Sequence, residues 1–200
     1  MWILYGLAYL LLIGFFLMER FVRVGQTRRM DREDADRGST TVVSIVMGIA
    51  FVLIPLSPLF NWLHVGAMRD LPAGLLASGS LGVGALGVVL GLIGLQLRYR
   101  AFTELGRFFT RTLRQTEEHQ LVTSGIYRSL RHPGYLSDLF IFFGASLAMN
   151  NWITALVVLV TFIPAYLYRI RVEEQMLLKA FGQAYADYQR TSKRLIPGIW

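Results

Sequence analysis

Long apolar stretches separated by short charged connections set the outline of this chain. A membrane crossing needs about 20 mainly apolar residues. Residues 2–18, 41–60 and 73–97 each predict one, the second with Pro55 and Pro58 near its far end. The stretch 2–18 reads as a span and not as a signal peptide. It has no positive charge before its apolar run, and Glu19-Arg20 stands where a small-residue cleavage site would be. Apart from Asp138 near its start, the apolar run from 134 to 168 is broken chiefly at Asn150-Asn151. That run is too long for one crossing, and Asn-Asn suits a tight turn, so it predicts spans at 134–149 and 152–168. Beyond them Leu177, Phe181, Ala184, Tyr185 and Tyr188 recur at helical spacing, with Glu174, Lys179, Asp187 and Arg190 on other faces. That pattern predicts an amphipathic helix ending near Thr191, with Pro197 after it. In the third span Gly84, Gly87, Gly91 and Gly94 share one face, a spacing for close helix packing. The fold class is therefore all-α, a polytopic membrane protein with about five transmembrane helices and a C-terminal amphipathic helix.

Composition agrees with this outline. The chain has 200 residues, 54% of them hydrophobic and 16% charged, where soluble proteins have roughly 25% charged. Mean hydropathy is +0.46. One integral membrane domain over 1–200 is expected. The net charge of +7 raises the question of nucleic acid. The positions of Lys and Arg argue against that partner: all but Arg69 fall in 19–40, 98–133 and 169–200. This is the positive-inside pattern. It puts those three segments in the cytoplasm, and the N-terminus, 61–72 and Asn150-Asn151 outside. The chain has no cysteine, which removes disulfides, thiolate nucleophiles and Cys-based metal sites. His64, His119 and His132 show no metal-ligand spacing, so no metal is expected.

The chemistry concentrates between 119 and 138 and after the last span. Pro133 suits the first turn of a helix, whose free N–H groups favour an anion. Arg131 and His132 stand beside it. These residues suit a carboxylate or phosphate at the membrane surface; a simpler reading is that they mark the headgroup level. Asp138 lies one to two turns into the fourth span, where an ionisable residue is either paired or functional. Arg169 and Glu173 share a helix face, as a snorkelling arginine with an interfacial ion pair also would.

The order of these pieces is informative. His119-Gln120-Leu121-Val122-Thr123-Ser124-Gly125-Ile126-Tyr127 precedes Arg131-His132-Pro133-Gly134-Tyr135. Two spans follow, then Arg169 with Glu173-Glu174, then Phe181-Gly182-Gln183-Ala184-Tyr185-Ala186-Asp187-Tyr188 and Ile196-Pro197. The pattern closely resembles the isoprenylcysteine carboxyl methyltransferase family, in particular its small prokaryotic members, and partly the phospholipid N-methyltransferases. The likeness covers 105–200, a cofactor-binding half, while 1–97 resembles the family only as N-terminal transmembrane helices. It implies a membrane enzyme using S-adenosyl-L-methionine, with cofactor contacts at His119, Gln120, Leu121, Val122, Tyr127, His132, Pro133, Gly134, Tyr135 and Glu173. It also implies that Arg169 is the catalytic, substrate-binding residue. The implied partners are membrane lipids and a lipophilic or lipidated acceptor, a prenylcysteine-like carboxylate. The implied location is a prokaryotic plasma membrane, with the site facing the cytoplasm. Two positions depart from the family: Thr112, where it often has Gln, and Ser137, where it often has Gly and a bulkier residue narrows the gap to a ligand.

The motifs also admit rival readings. Arg131, His132, Tyr135 and Asp138 match an Arg-His-x-x-Tyr-x-x-Asp arrangement of NADPH-dependent sterol reductases. Those enzymes are longer, and the Glu173-Glu174 pair looks more like the methyltransferases. Methyl transfer to an amine is a second rival, and a non-catalytic membrane scaffold is a third.

Overall fold

A computed structural model of the chain describes residues 1–21, 36–70, 79–106 and 121–195. Among these residues five long helices and one short one appear. They are α1 (Trp2–Phe21), α2 (Ser39–Trp62), α3 (Gly79–Leu105), α4 (Pro133–Ala148), α5 (Trp152–Phe181) and α6 (Gln183–Thr191). The helical, polytopic expectation holds. Four helices (α1, α2, α3 and α5) are long and apolar enough to cross a membrane. At 16 residues, α4 is about 24 Å long at 1.5 Å per residue, short of a full hydrocarbon core. The outward faces of the other helices carry exposed Leu10, Ile13, Phe16, Ile45, Val52, Val89, Leu92 and Val160, as lipid contact requires. The chain is a multi-pass membrane protein.

Helix α4 is the centre of the bundle. Ten of its 16 residues are buried, against five of 24 in α2. Phe142 contacts Phe15, Phe51 and Phe162, with ring centroids 5.0, 5.2 and 5.1 Å away. The glycine face of α3 lies directly on α4. A Cβ at Gly87 would sit 2.5 Å from the Gly144 carbonyl oxygen, and one at Gly94 would sit 2.9 Å from that of Ser137. The expected close-packing role of these glycines holds, because only hydrogen at Cα lets the backbones approach this far.

The Asn150-Asn151 turn is also as expected. Asn150 has φ +54, a left-handed conformation that Asn tolerates. Asn151 caps α5 by accepting from the Thr154 N–H at 2.9 Å. Asn61, at the end of α2, donates to the Met149 carbonyl at 2.7 Å and accepts from the Asn151 amide at 2.9 Å, tying α2 to the hairpin.

Two expectations change. The fifth helix does not stop at 168 but runs 30 residues to Phe181, about 45 Å, and carries Arg169, Glu173 and Glu174 in one rigid element. The expected amphipathic helix is split at Gly182, whose φ +52 and ψ −124 suit glycine alone. Leu177 and Phe181 thus end α5, while Ala184, Tyr185 and Tyr188 belong to α6. Thr112 and Ile196-Pro197, singled out in the sequence, lie outside the described residues.

Candidate active site

Pro133 opens α4 in its first turn, with His132 at the N-cap and no side chain capping the helix. The preceding segment is held by the C-terminal one. Arg131 N–H donates to the Lys193 carbonyl at 2.7 Å, and His132 N–H to that of Arg194 at 3.1 Å. Arg131 turns away from the site. Its Nε donates to Glu174 at 2.9 Å, and Nη1 reaches the carbonyl oxygens of Gln189 and Ser192. Arg194 donates to the other Glu174 oxygen at 2.9 Å. Glu174 is therefore a buried anchor joining α5, the start of α4 and the C-terminal segment.

Its neighbour Glu173 faces a different group. The Tyr135 hydroxyl donates its hydrogen to Glu173 Oε2 at 2.6 Å, and the hydroxyl oxygen accepts from Arg169 Nε at 2.9 Å. Tyr135 thus bridges the arginine and the glutamate, which are one helical turn apart. His132 is 4% exposed. Its Nδ1 lies 3.5 Å from Glu173, and its Nε2 lies 3.5 Å from Glu174. Burial pushes the imidazole pKa down, but hydrogen bonds and charge from Glu173 and Glu174 prevail, and the net shift is upward. His132, Tyr135 and Tyr166 form a stack of rings with centroid spacings of 5.6 and 5.0 Å.

Arg169 is 4% exposed. Its Nη1 donates to Thr40 Oγ1 at 2.8 Å, Ser39 Oγ at 3.3 Å and Asp36 Oδ1 at 3.4 Å. Burial raises the Asp36 pKa, but Ser39, Thr40 and Arg169 outweigh it and hold the carboxyl below its ordinary value. The three residues at the start of α2 were not anticipated. The one signal in the sequence was an acid followed by Ser-Thr ahead of an apolar run, which marks a helix start and says nothing of a partner on α5.

Beneath the ring stack lies a second cluster. Asp138 accepts from Tyr166 at 2.7 Å and pairs closely with Arg98 Nη1, while Arg98 Nη2 pairs with Glu19. Of the two roles open to Asp138, the structure shows pairing. Ser137 donates to the Gly134 carbonyl at 2.5 Å and accepts from Arg98 at 3.3 Å. Its hydroxyl is therefore engaged within the bundle. Arg131 and Asp138, two of the four residues shared with the reductase pattern, are engaged in internal pairs.

The sequence-predicted residues divide accordingly. His132, Pro133, Gly134, Tyr135, Glu173 and Arg169 come together. Tyr127 is near but buried. Its hydroxyl donates to the Ala101 carbonyl of α3 at 3.3 Å, and burial, followed by the Glu173 carboxylate, pushes its pKa up. Leu121 and Val122 are half-buried in the segment before the turn Gly125–Arg128. His119 and Gln120 lie outside the described residues.

Comparison with known proteins fits this geometry. A probable protein-S-isoprenylcysteine O-methyltransferase of Oryza sativa subsp. indica is 31% identical over 119 residues, 58% of this chain and 62% of the relative. Protein-S-isoprenylcysteine O-methyltransferase B of Arabidopsis thaliana is 32% identical over 115 residues, 56% of this chain and 58% of the relative. The chain thus spans about three fifths of the length of these relatives. The solved structure of the eukaryotic intramembrane Ras methyltransferase, an isoprenylcysteine carboxyl methyltransferase, matches with a TM-score of 0.52 at 24% identity, covering 84% of this chain and 55% of that one. It shares the fold. The resemblance read from the motifs stands. A family model described as phospholipid methyltransferase matches residues 83–184. That match takes in just over half of the sequence, and the chain belongs to the phospholipid methyltransferase family.

Proposed function

We propose that the protein is an S-adenosyl-L-methionine-dependent methyltransferase that acts on a lipophilic carboxylate, of the prenylcysteine type, at the cytoplasmic membrane surface. The carrying observation is the Arg169–Tyr135–Glu173 bridge, which sets a cation suited to an acceptor carboxylate beside an anion suited to a polar cofactor. The residues fit such a cofactor. His132 Nε2 is buried, and its contact with Glu174 at 3.5 Å is too long for a full hydrogen bond. No described atom lies within 4 Å of a Cβ built at Gly134, so the first turn of α4 has open space beside it. Glu173, His132 and the first turn at Pro133-Gly134 would hold it. When bound, it supplies an electrophilic methyl group on a sulfonium. Tyr135 fixes the guanidinium of Arg169 relative to Glu173. Arg169 holds the acceptor carboxylate and strips its water, so that alignment and not acid–base chemistry is what the protein provides.

Glu173→Ala is expected to weaken S-adenosylhomocysteine binding by about 1.5–3 kcal/mol, the range for hydrogen bonds to a charged group. Arg169→Lys is expected to bind it normally and to methylate a farnesylated cysteine analogue poorly, since a point charge cannot reproduce a two-point grip. Calorimetry and a turnover assay on detergent-purified protein check both. Unchanged affinity in the alanine variant removes Glu173 from the site. Thermal stabilisation by NADPH instead of S-adenosylhomocysteine replaces the reading with a reductase.

The charge pattern supports an extracytoplasmic N-terminus and a cytoplasmic C-terminus. Single cysteines at Leu63 and Arg190 should label from outside and inside respectively. The reverse result would invert the orientation.

A further inference from the structure

The buried guanidinium assigned to the acceptor already holds a carboxylate of its own chain. We propose that Asp36 is a specificity-determining residue of the acceptor site: it occupies the edge of Arg169 that an acceptor carboxylate needs, and such an acceptor binds by displacing it. This inference rests on the acceptor role of Arg169 given above.

Three observations support it. Asp36 Oδ1 lies 3.4 Å from Arg169 Nη1, and Ser39 and Thr40 hydroxyls complete that edge. Two carboxylates against one nitrogen repel each other, so a second one enters only as the first leaves. Asp36 is able to leave. Its side chain is 19% exposed, against 5% for that of Arg169, so the freed carboxylate turns to water at little desolvation cost. Its tether is also suited to movement. Arg37 and Gly38 have φ of +46 and +72 in succession, and the first is a conformation that a residue with a side chain adopts only when held. Among the described residues the turn is held by exposed contacts, the Tyr168 hydroxyl to the Arg37 carbonyl at 2.6 Å and Arg37 Nη1 to Gln175 at 3.2 Å, while the Asp36 carboxylate accepts from Ser39 Oγ at 2.6 Å and the Thr40 N–H at 3.2 Å, bonds that its departure exchanges for water.

The consequence is that Asp36 sets how strongly carboxylates are preferred. A neutral headgroup leaves Asp36 in place and is indifferent to it, whereas a carboxylate restores the ion pair it breaks but must first displace Asp36. The test is calorimetry on the full chain with S-adenosylhomocysteine present. Two probes are compared: a farnesylated cysteine derivative with a free carboxylate, and its methyl ester. Asp36→Asn keeps an acceptor for Ser39 and for the Thr40 N–H. It should raise the affinity for the carboxylate relative to the ester by about fivefold to tenfold, the scale of one close charge interaction. Asp36→Ser should act in the same direction and guards against a folding defect in the first variant. An unchanged or lowered ratio in both variants overturns the inference and makes Asp36 a support for Arg169. Absence of carboxylate binding by wild type and variants also overturns it. If the wild-type chain fails to methylate the carboxylate probe, the proposed reaction falls, while the binding ratio still decides the role of Asp36.

Discussion

Arg98 and Arg169 are equally buried, at 5% and 4% exposure, yet their surroundings differ in kind. Arg98 is paired with Glu19 and Asp138, two carboxylates carried by the helices α1 and α4. Its guanidinium lies over the rings of Phe15 and Phe102, 4.4 and 4.6 Å from their centroids. Each of these partners sits on a rigid element. Among the described residues Arg169 instead hydrogen-bonds to one phenol, two hydroxyls and one carboxylate, and that carboxylate is on a turn at the edge. A charge within a membrane bundle requires compensation. Where the compensation is fixed the charge serves the fold, and where it is exchangeable the charge can serve a ligand.

The largest expected effect breaks the fixed member of this pair. Arg98→Met leaves Glu19 and Asp138 facing each other without their cation. A loss of about 3–5 kcal/mol is expected, the cost of breaking a buried ion pair from one side. Thermal unfolding and size-exclusion profiles in detergent measure it. Adding Asp138→Asn to the same chain should recover part of the loss, since one of the uncompensated charges is then gone. Arg169→Met should lose only about 1–3 kcal/mol, because Asp36 can hydrate and the Ser39 hydroxyl still donates to Asp36. Equal losses at the two arginines would remove the distinction between them.

The same contrast separates what the sequence made legible from what it did not. Local signals were readable: the apolar runs, the Asn150-Asn151 turn, Pro133 at a helix start and the glycine face of α3. Each is decided by neighbours within a few positions in the chain. The extent of α5 was not readable. Arg169, Glu173 and Glu174 look like the polar end of a span, and only their partners on α2, α4 and the C-terminal segment keep that stretch helical and buried. The break at Gly182 was hidden for a related reason, since the apolar periodicity runs through it. Site residues came from order and spacing along the second half, which α4 and α5 preserve as a hairpin. Asp36 is 133 positions from Arg169, and no periodicity links the two. Arg98 was read only as part of a basic segment, because charge counting does not distinguish a surface arginine from one inside the bundle.

The smallest expected effect sharpens the contrast within the site itself. His132 lies between Glu173, which faces the site, and Glu174, which is locked by Arg131 and Arg194. Burial lowers its pKa, the two carboxylates raise it, and the folded value ends above the ordinary 6.5. A raised native value means that folding favours the protonated ring. The stabilisation is therefore complete below pH 6.5 and is lost as pH rises through the native value. Asp36, whose pKa is lowered from 3.8, contributes only a loss on acidification below this window. Tyr127 and Tyr188 are pushed above their ordinary 10.0 by burial and titrate beyond its alkaline end. Between pH 6.5 and 10.0 the melting temperature should thus fall with rising pH, and His132→Asn should flatten that slope. Removing the Glu173 charge with Glu173→Gln should flatten it partly, because Glu174 still holds one side of the ring. If Glu173→Gln leaves the slope intact, the imidazole charge is held by Glu174 alone, and His132 belongs with the locked anchor and not with the exchangeable side of the site.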